Sequence, residues 1–143
     1  MKIAIASDHG GFTLKEEIKK YLISEGIDVI DLGTNSEESV DYPVYGKLCA
    51  EAVASGKADR GIACCSTGVG ISMAANKVKG IRCALCTDTH MAEMTRRHND
   101  ANMLALGGRT VSVNTALEIT KIWLETEFEG GRHKRRVDMI NEM

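Results

Sequence analysis

Gly61-Ile62-Ala63-Cys64-Cys65-Ser66-Thr67-Gly68-Val69-Gly70 is the stretch that decides the fold. Its first half is small and apolar, as a buried strand is, and its second half is a glycine-rich turn into residues 71–77, which read as a helix. Cys65 therefore lies where a strand ends and a helix begins. The amides of such a turn and the partial positive charge of a helix start favour an anion, either a bound phosphate or a cysteine thiolate. A tight turn with a structural cysteine explains the same residues equally well, because short glycine patterns are common.

Length and composition indicate an ordinary globular protein. The chain has 143 residues, enough for one domain with its own core, and it is 43% hydrophobic and 27% charged. A net charge of −2 gives no reason to expect a nucleic acid as partner. No apolar run is long enough to cross a membrane, and polar residues follow the first strand too early for a secretory signal. We therefore expect a cytoplasmic protein.

The five cysteines do not form a recognisable metal or redox motif. Cys64 and Cys65 are neighbours on a strand, so their side chains point to opposite faces. Cys83 and Cys86 have C-x-x-C spacing, but the pattern places them within a strand, whereas a redox pair needs a turn and a zinc site needs a second pair of ligands. We expect free thiols, no disulfide, no metal and no cofactor.

Strand-like and helix-like segments alternate along the whole chain. This order predicts a single α/β domain over residues 1–143, with a mainly parallel sheet of five strands and helices on both faces. The predicted strands cover 2–7, 27–32, 61–64, 80–86 and 102–106; the predicted helices cover 12–25, 43–55, 71–77, 88–97, 113–128 and 132–143. The first, third, fourth and fifth strands are nearly continuous apolar runs, which is typical of buried parallel strands.

Polar residues that can bind an anion or transfer a proton follow four of these strands. They are Asp8-His9, Cys65 to Gly70, Thr87-Asp88 and Arg109. Since ligands of open α/β sheets bind beyond the carboxyl ends of the strands, these segments predict one site for an anionic ligand. Asp8 also fits a helix N-cap, and His9 and Arg109 fit ordinary surface residues.

Two further groups lie near the end of the chain. His98-Asn99 ends the predicted fourth helix, where the histidine suits proton transfer near neutral pH and equally suits a helix C-terminus. Arg132 and Arg136 are four residues apart, so they share a helical face on which they could clamp a phosphate. A solvated basic tail explains the two arginines as well.

Several short segments together resemble the type B ribose-5-phosphate isomerases, a group that also includes isomerases of six-carbon aldose phosphates. The segments are Asp8-His9-Gly10-Gly11, Asp41-Tyr42-Pro43, Cys65 to Gly70, Ala74-Ala75-Asn76-Lys77, His98-Asn99-Asp100, Gly107-Gly108-Arg109 and Glu129 to His133. The resemblance implies a Rossmann-like α/β/α domain and metal-independent aldose–ketose isomerisation. It also implies a homodimer, or a tetramer, with residues 131–143 forming a helix at the dimer interface.

The resemblance also implies roles for individual residues. Cys65 corresponds to the base that moves a proton between C2 and C1, and His98, assisted by Thr67, to the group that opens the furanose ring. The remaining matches are enediolate-binding amides from Ser66 to Gly70 (Ser66, Thr67, Gly68, Val69 and Gly70), phosphate-binding side chains at His9, Arg109, Arg132 and Arg136, and hydroxyl-binding side chains at Asp8 and Asn99. Some of these residues are expected to come from the partner subunit.

Two positions distinguish members of the group. Ser66 stands where some members have glycine, and it adds a hydroxyl beside the proposed base. A second branch replaces the cysteine by a nearby glutamate, but this chain has Ile71 there, which leaves Cys65 as the candidate.

The sequence therefore predicts interconversion of ribose 5-phosphate and ribulose 5-phosphate. The same chemistry on a hexose 6-phosphate such as allose or galactose stays open, because pocket depth cannot be read from the residues. A non-catalytic sugar-phosphate sensor would keep the arginines but would not need Cys65. A thiol redox protein is disfavoured by the strand placement of four cysteines.

Overall fold

Five parallel strands form the centre of the molecule, whose computed structural model describes all 143 residues. The strands are β1 (Lys2–Ser7), β2 (Asp28–Asp31), β3 (Arg60–Cys65), β4 (Cys83–Leu85) and β5 (Met103–Gly107). They pair in the order β2-β1-β3-β5-β4, and every pairing is parallel. The crossovers between parallel strands are made by helices, as the alternating pattern predicts.

The chain has six helices, and five of them pack on the two faces of the sheet. A short 3-10 turn (His9–Gly11) precedes α1 (Phe12–Ser24), and the others are α2 (Tyr42–Ala54), α3 (Val69–Ala75), α4 (Thr89–Arg97), α5 (Val113–Glu125) and α6 (Arg132–Asn141). Apolar residues of α1, α4 and α5 join one buried cluster, and those of α2 and α3 join a second cluster on the opposite face. The predicted α/β/α arrangement with a five-stranded parallel sheet is confirmed. No helix is both long and apolar enough to cross a membrane.

The adjacent residues Cys64 and Cys65 illustrate how the central strand divides the core. Cys64 belongs to the cluster under α1 and α5, whereas Cys65 belongs to the cluster under α2 and α3. Fully buried Ile62 packs in the first cluster, and burying such a side chain contributes about 1.5–3 kcal/mol. The strand is therefore held from both faces, which places Cys65 rigidly at its carboxyl end.

The fourth strand differs from the sequence-based prediction. Only three of the seven predicted residues pair, and they lie half-buried at the edge of the sheet. Asparagine side chains replace strand partners here, because the amide of Arg82 donates to Asn102 Oδ1 and the amide of Cys83 donates to Asn76 Oδ1, both at 2.8 Å. A run of apolar residues marks buried strands well but does not exclude an edge position.

The long fifth helix is shorter than predicted. It ends at Glu125 rather than at residue 128, because Thr126 adopts an extended conformation. The Thr126 hydroxyl donates to the carbonyl of Ile122 at 2.6 Å, and its own carbonyl accepts from Arg96 Nε at 3.2 Å. These two hydrogen bonds turn the chain toward α6.

A buried ion pair supports the end of the first strand. Lys15 on α1 is fully buried, and its Nζ lies 2.8 Å from Asp31, which also binds Lys19 at 2.8 Å. Asp31 accepts the amide of Gly33 at 3.0 Å, and the carbonyl of Gly33 accepts the amide of Ser7 at 2.6 Å. The ion pair therefore holds the loop beside the residue that precedes Asp8.

Candidate active site

A cavity of about 450 Å³ opens at the carboxyl edge of the sheet. It lies where β1 and β3 end and where α2 and α3 begin. Its lining is mixed, with the thiol of one cysteine, one carboxylate and several backbone groups among apolar side chains. The lining residues are Asp8, Tyr42, Cys65, Ser66, Thr67, Val69, Gly70 and Met73.

Cys65 contributes the thiol of this cavity. Cys65 is 5% exposed, and the amide of Gly68 donates to its Sγ at 3.1 Å. Gly68 has a φ of 80°, and a Cβ at this position would lie 2.6 Å from Leu85 Cδ1. Only glycine therefore allows the turn that aims this amide at the sulfur. A peptide dipole directed at sulfur stabilises negative charge there.

The remaining amides of the loop divide into two groups. The amide of Val69 is already bound to Thr67 Oγ1 at 3.2 Å. The amides of Ser66, Thr67 and Gly70 have no acceptor within the chain. These three free donors near Cys65 can bind an oxyanion, whereas the sequence pattern does not distinguish among the five loop amides.

The other four cysteines have different surroundings. Burial raises the pKa of Cys49 to about 12 and that of Cys86 to about 12, and it also raises the pKa values of Cys64 and Cys83. All five cysteines are free thiols. The raised pKa values make these four thiols poorly suited to proton transfer at neutral pH.

Asp8 lies where both of its sequence-based interpretations place it, at a helical cap and beside the cavity. Its Oδ1 accepts the amide of Gly11 at 3.1 Å, so it caps the short turn before α1. It is 95% buried and also lines the cavity of Cys65. The cap orients the carboxylate, and the cavity gives it access to a ligand.

His9 and Arg109 lie at a neighbouring opening of about 390 Å³. His9 Nδ1 accepts the amide of Val40 at 3.2 Å, so the neutral ring carries its hydrogen on Nε2, where it can donate to an anion. Arg109 is exposed and makes no salt bridge. The backbone amide of Arg109 donates to the carbonyl of Ser66 at 2.9 Å. This hydrogen bond fixes the position of Arg109 relative to the Cys65 loop.

His98 and Asn99 lie at the C-terminal end of α4. The carbonyls of Asn99 and Asp100 accept Arg82 Nε at 3.3 and 3.1 Å, and Asp100 accepts Arg96 Nη1 at 2.8 Å. Asp100 has a φ of 46°, so these contacts hold a backbone conformation that is uncommon outside glycine. The corner after α4, residues 98–100, is thus rigid.

The His98 ring stacks on His133 of α6. The ring centroids are 4.2 Å apart and the planes differ by 10°. Glu129 lies beside both rings, and a hydrogen bond from Arg97 at 2.6 Å lowers the pKa of this carboxyl. Arg132 and Arg136 extend from the same helix, exposed and without an acidic partner.

The residues around Cys65 and those around His98 lie at opposite ends of the strands, which are the carboxyl and amino edges of the sheet. Cys65 lies at the carboxyl edge, whereas α4 runs back to the amino edge, where Arg82, which precedes β4, binds the segment next to His98. The five residues of β5 rise about 3.3 Å each, so roughly 15 Å separates the edges. Neither His98 nor Arg132 lines the Cys65 cavity within one chain.

Comparisons with known proteins identify the family. A sequence model described as Ribose/Galactose Isomerase matches residues 3–140. The chain belongs to this isomerase family. It is 50% identical to Escherichia coli ribose-5-phosphate isomerase B over 97% of this chain and 93% of that protein.

Solved structures of ribose-5-phosphate isomerase B have the same fold. The Clostridium thermocellum protein is 59% identical with a TM-score of 0.98, covering 99% of this chain and 96% of that one. The Mycoplasma genitalium protein, solved with bound ribulose-5-phosphate, is 43% identical with a TM-score of 0.94, covering 99% and 94%.

In this isomerase the sequence-based site residues form three local groups. The first group lines the Cys65 cavity and consists of Asp8, Cys65, Ser66, Thr67, Val69 and Gly70, with the amide of Gly68 donating to the sulfur. The second group, His9 and Arg109, lies at the adjoining opening. The third group, His98, Asn99, Arg132 and Arg136, lies outside both openings. The sequence pattern assigned no site role to Tyr42 or Met73, although Tyr42 belongs to the Asp41-Tyr42-Pro43 segment that resembles the isomerases. It also expected no cluster of metal-type ligands, but the fold brings His98, Glu129 and His133 together.

Proposed function

We propose that this chain interconverts D-ribose 5-phosphate and D-ribulose 5-phosphate by moving a proton between C2 and C1. The observation that carries the proposal is the Cys65 sulfur, which faces a cavity and receives the Gly68 amide. It is joined by family membership and by 50% identity to an enzyme named for this reaction. The proposed reaction belongs to the pentose phosphate pathway.

The chemistry requires a base and a stabilised enediolate. A hydrogen next to a carbonyl is weakly acidic, so its removal needs donors that bind the oxyanion as it forms. Cys65 removes the hydrogen from C2 and returns it to C1 on the same face, and the free amides of Ser66, Thr67 and Gly70 bind the oxygens. General base catalysis of this kind contributes about 10²–10⁴-fold, and one oxyanion donor about 10²–10³-fold.

The phosphate is proposed to lie at the opening of His9 and Arg109. His9 offers Nε2–H and Arg109 offers a guanidinium with no acidic partner. Asp8, between this opening and Cys65, is placed to accept a sugar hydroxyl. The substrate would thus span the two adjoining openings with its reacting carbons near the sulfur.

We further propose that a second copy of the chain completes the site. A pentose phosphate is too short to reach from Cys65 to His98 across roughly 15 Å of sheet. His98 would open the furanose ring, assisted by Thr67, and Asn99, Arg132 and Arg136 would bind hydroxyls and phosphate. The rim of the Cys65 cavity has the exposed apolar side chains that an interface needs, with Val69 42% and Met73 64% exposed. The assembly would be a homodimer, or a tetramer built from it, with α6 at the interface.

Free thiols support the expectation of a cytoplasmic location. All five cysteines are unpaired, as in proteins of reducing compartments.

Proton transfer through Cys65 can be tested by isomerisation in D₂O followed by NMR. We expect deuterium at C1 of the ribulose 5-phosphate formed by the wild-type protein, because a thiol exchanges its hydrogen with solvent. Cys65→Ala should bind substrate but form neither product nor deuterated sugar. Undiminished turnover by Cys65→Ala would move the base elsewhere, and binding without turnover by the wild type would favour a sugar-phosphate sensor.

A hexose 6-phosphate is the second candidate substrate. The family description names galactose as well as ribose, and exposed Met73 borders the Cys65 cavity, where a longer sugar would extend. Comparison of kcat/KM for ribose 5-phosphate with that for allose 6-phosphate and galactose 6-phosphate distinguishes the two. We expect the pentose value to be the highest; a higher hexose value would reassign the substrate.

A further inference from the structure

Three side chains outside the Cys65 cavity present metal-type ligand atoms to one another. They come from the end of α4, the loop before α6 and the first turn of α6. His98 Nε2 lies 4.0 Å from Glu129 Oε2, and His133 Nε2 lies 3.8 Å from Glu129 Oε1. The three ligand atoms all lie within 4.8 Å of one another.

The His133 ring provides a second, independent observation. The residue is 93% buried, and Nε2 has no hydrogen-bond partner although no solvent reaches it. An unpaired polar atom in such a position costs free energy, and native proteins rarely leave one unused. This nitrogen points toward the Glu129 carboxylate, so a cation between the two would satisfy both.

The carboxylate is already oriented by its surroundings. Arg97 Nε donates to Glu129 Oε2 at 2.6 Å, and the amide of Glu129 donates to the carbonyl of Arg97 at 3.1 Å. Oε1 is left facing His133. Hydrogen bonds of this kind hold the ligands of natural metal sites in position.

We propose that His98, Glu129 and His133 form a binding site for a zinc-class divalent cation whose occupancy inhibits the isomerase. Two imidazoles and one carboxylate suit Zn²⁺, which binds such a set tetrahedrally with water in the fourth position. The neighbouring cations Arg97, Arg132 and Arg136 oppose the added charge, so the metal should be removable by a chelator.

The stacked arrangement gives the mechanism of inhibition. The lone pairs of parallel rings do not converge on one point, so His98 must tilt away from His133 to bind the metal. The His98 side chain is 38% exposed and makes no hydrogen bond, which leaves it free to do so. Zinc ligand atoms lie about 3.4 Å apart, so the cluster must contract by roughly 1 Å. This inhibitory effect rests on the proposed role of His98 in ring opening.

Calorimetric titration with ZnCl₂ tests the site without reference to turnover. We expect one ion per chain in the wild type, in Cys65→Ala and in the exposed-histidine control His90→Asn. Affinity should fall at least tenfold in His133→Asn and in Glu129→Gln. Glu129 is partly exposed, so the second variant tests the site even if His133→Asn fails to fold. Equal affinity in Glu129→Gln and wild type, or loss of binding in Cys65→Ala, would overturn the proposal.

The absorption spectrum of bound Co²⁺ identifies the ligands. Tetrahedral nitrogen and oxygen ligation should give visible d–d bands without intense near-ultraviolet charge transfer, whereas such charge transfer would indicate a cysteine ligand and contradict the proposed site. In activity assays, Zn²⁺ should lower kcat and a chelator should restore it, with at least tenfold weaker inhibition of Glu129→Gln. Zinc bound at the site without loss of activity would refute the inhibitory effect while leaving the proposed reaction intact.

Discussion

The loop after β3 and the corner between α4 and α6 differ in how much of a site each completes on its own. The first has a sulfur with a directed amide, three free amides and an open cavity of about 450 Å³. The second has a half-exposed histidine, and its arginines Arg132 and Arg136 have no acidic partner.

The comparison is the reason for proposing that two copies of the chain share one site. Both regions are held rigidly, the first by strands on either side of β3 and the second by Arg82 and Arg96 around Asp100. They lie at opposite edges of the sheet, so bending cannot join them. A second copy placing its own corner over the cavity can.

The largest expected effect separates the two adjacent cysteines. Cys65→Ala should lower kcat by at least about 10³-fold, because it removes the proposed base. Cys64→Ala is the matched control: it lies on the other face of the same strand and should change kcat less than threefold while lowering stability by about 1 kcal/mol. Steady-state kinetics and thermal unfolding measure both, and similar kcat values for the two variants would contradict the account.

A smaller effect is expected from the arginines of the second region. Arg132→Ala or Arg136→Ala should raise KM by about 10–100-fold with kcat largely kept, since a charge-assisted hydrogen bond is worth about 1.5–3 kcal/mol. Lys134→Ala on the opposite face of α6 should leave KM unchanged. If neither arginine variant alters KM, α6 is only a solvated basic tail.

The smallest effect on catalysis is expected at the ion pair behind the first region. Asp31→Asn leaves buried Lys15 without a counter-charge and should cost about 3 kcal/mol, a fall in Tm on the order of 10 °C. The exposed pair of Glu17 and Lys20 supplies the control, since Glu17→Gln should cost less than about 0.5 kcal/mol. Equal Tm values would show that the buried pair is not needed.

The same ion pair predicts a pH dependence. Burial alone would raise the pKa of Asp31, but hydrogen bonds from Lys15 and Lys19 outweigh it and the net pKa is lowered. A lowered pKa in the folded state means that the unfolded state binds more protons in acid, so this stabilisation is present at neutral pH and lost as pH falls below about 4. The difference in Tm between wild type and Asp31→Asn should shrink over that range.

Local patterns predicted the first region well. The run of small residues into Cys65, the glycines after it and the rule that ligands bind beyond strand ends placed Asp8, Cys65 and Arg109 at one edge of the sheet. What the pattern could not give was which loop amides are free, because that depends on the hydrogen bonds of Gly68 and Val69.

The second region was harder to predict because its contacts are distant in sequence. The stacking of His98 on His133 joins two helices, and the position of Glu129 depends on Thr126 ending α5 early. The edge position of β4 was also missed, because an apolar run of this length does not specify its neighbours. Residue chemistry left two interpretations each for His98 and the arginines, and the motif resemblance favoured the functional one. The separation of the two regions had to come from the fold.

Mixing two inactive variants tests the shared site most directly. Cys65→Ala and His98→Asn are each expected to be nearly inactive, and they are co-refolded in equal amounts so that subunits exchange. In a shared-site dimer, random assembly makes half of the molecules mixed, each with one intact site, so about one quarter of wild-type activity should return. If the mixture stays as inactive as its parts although mixed dimers form, the two regions do not meet across the subunits and the account is wrong.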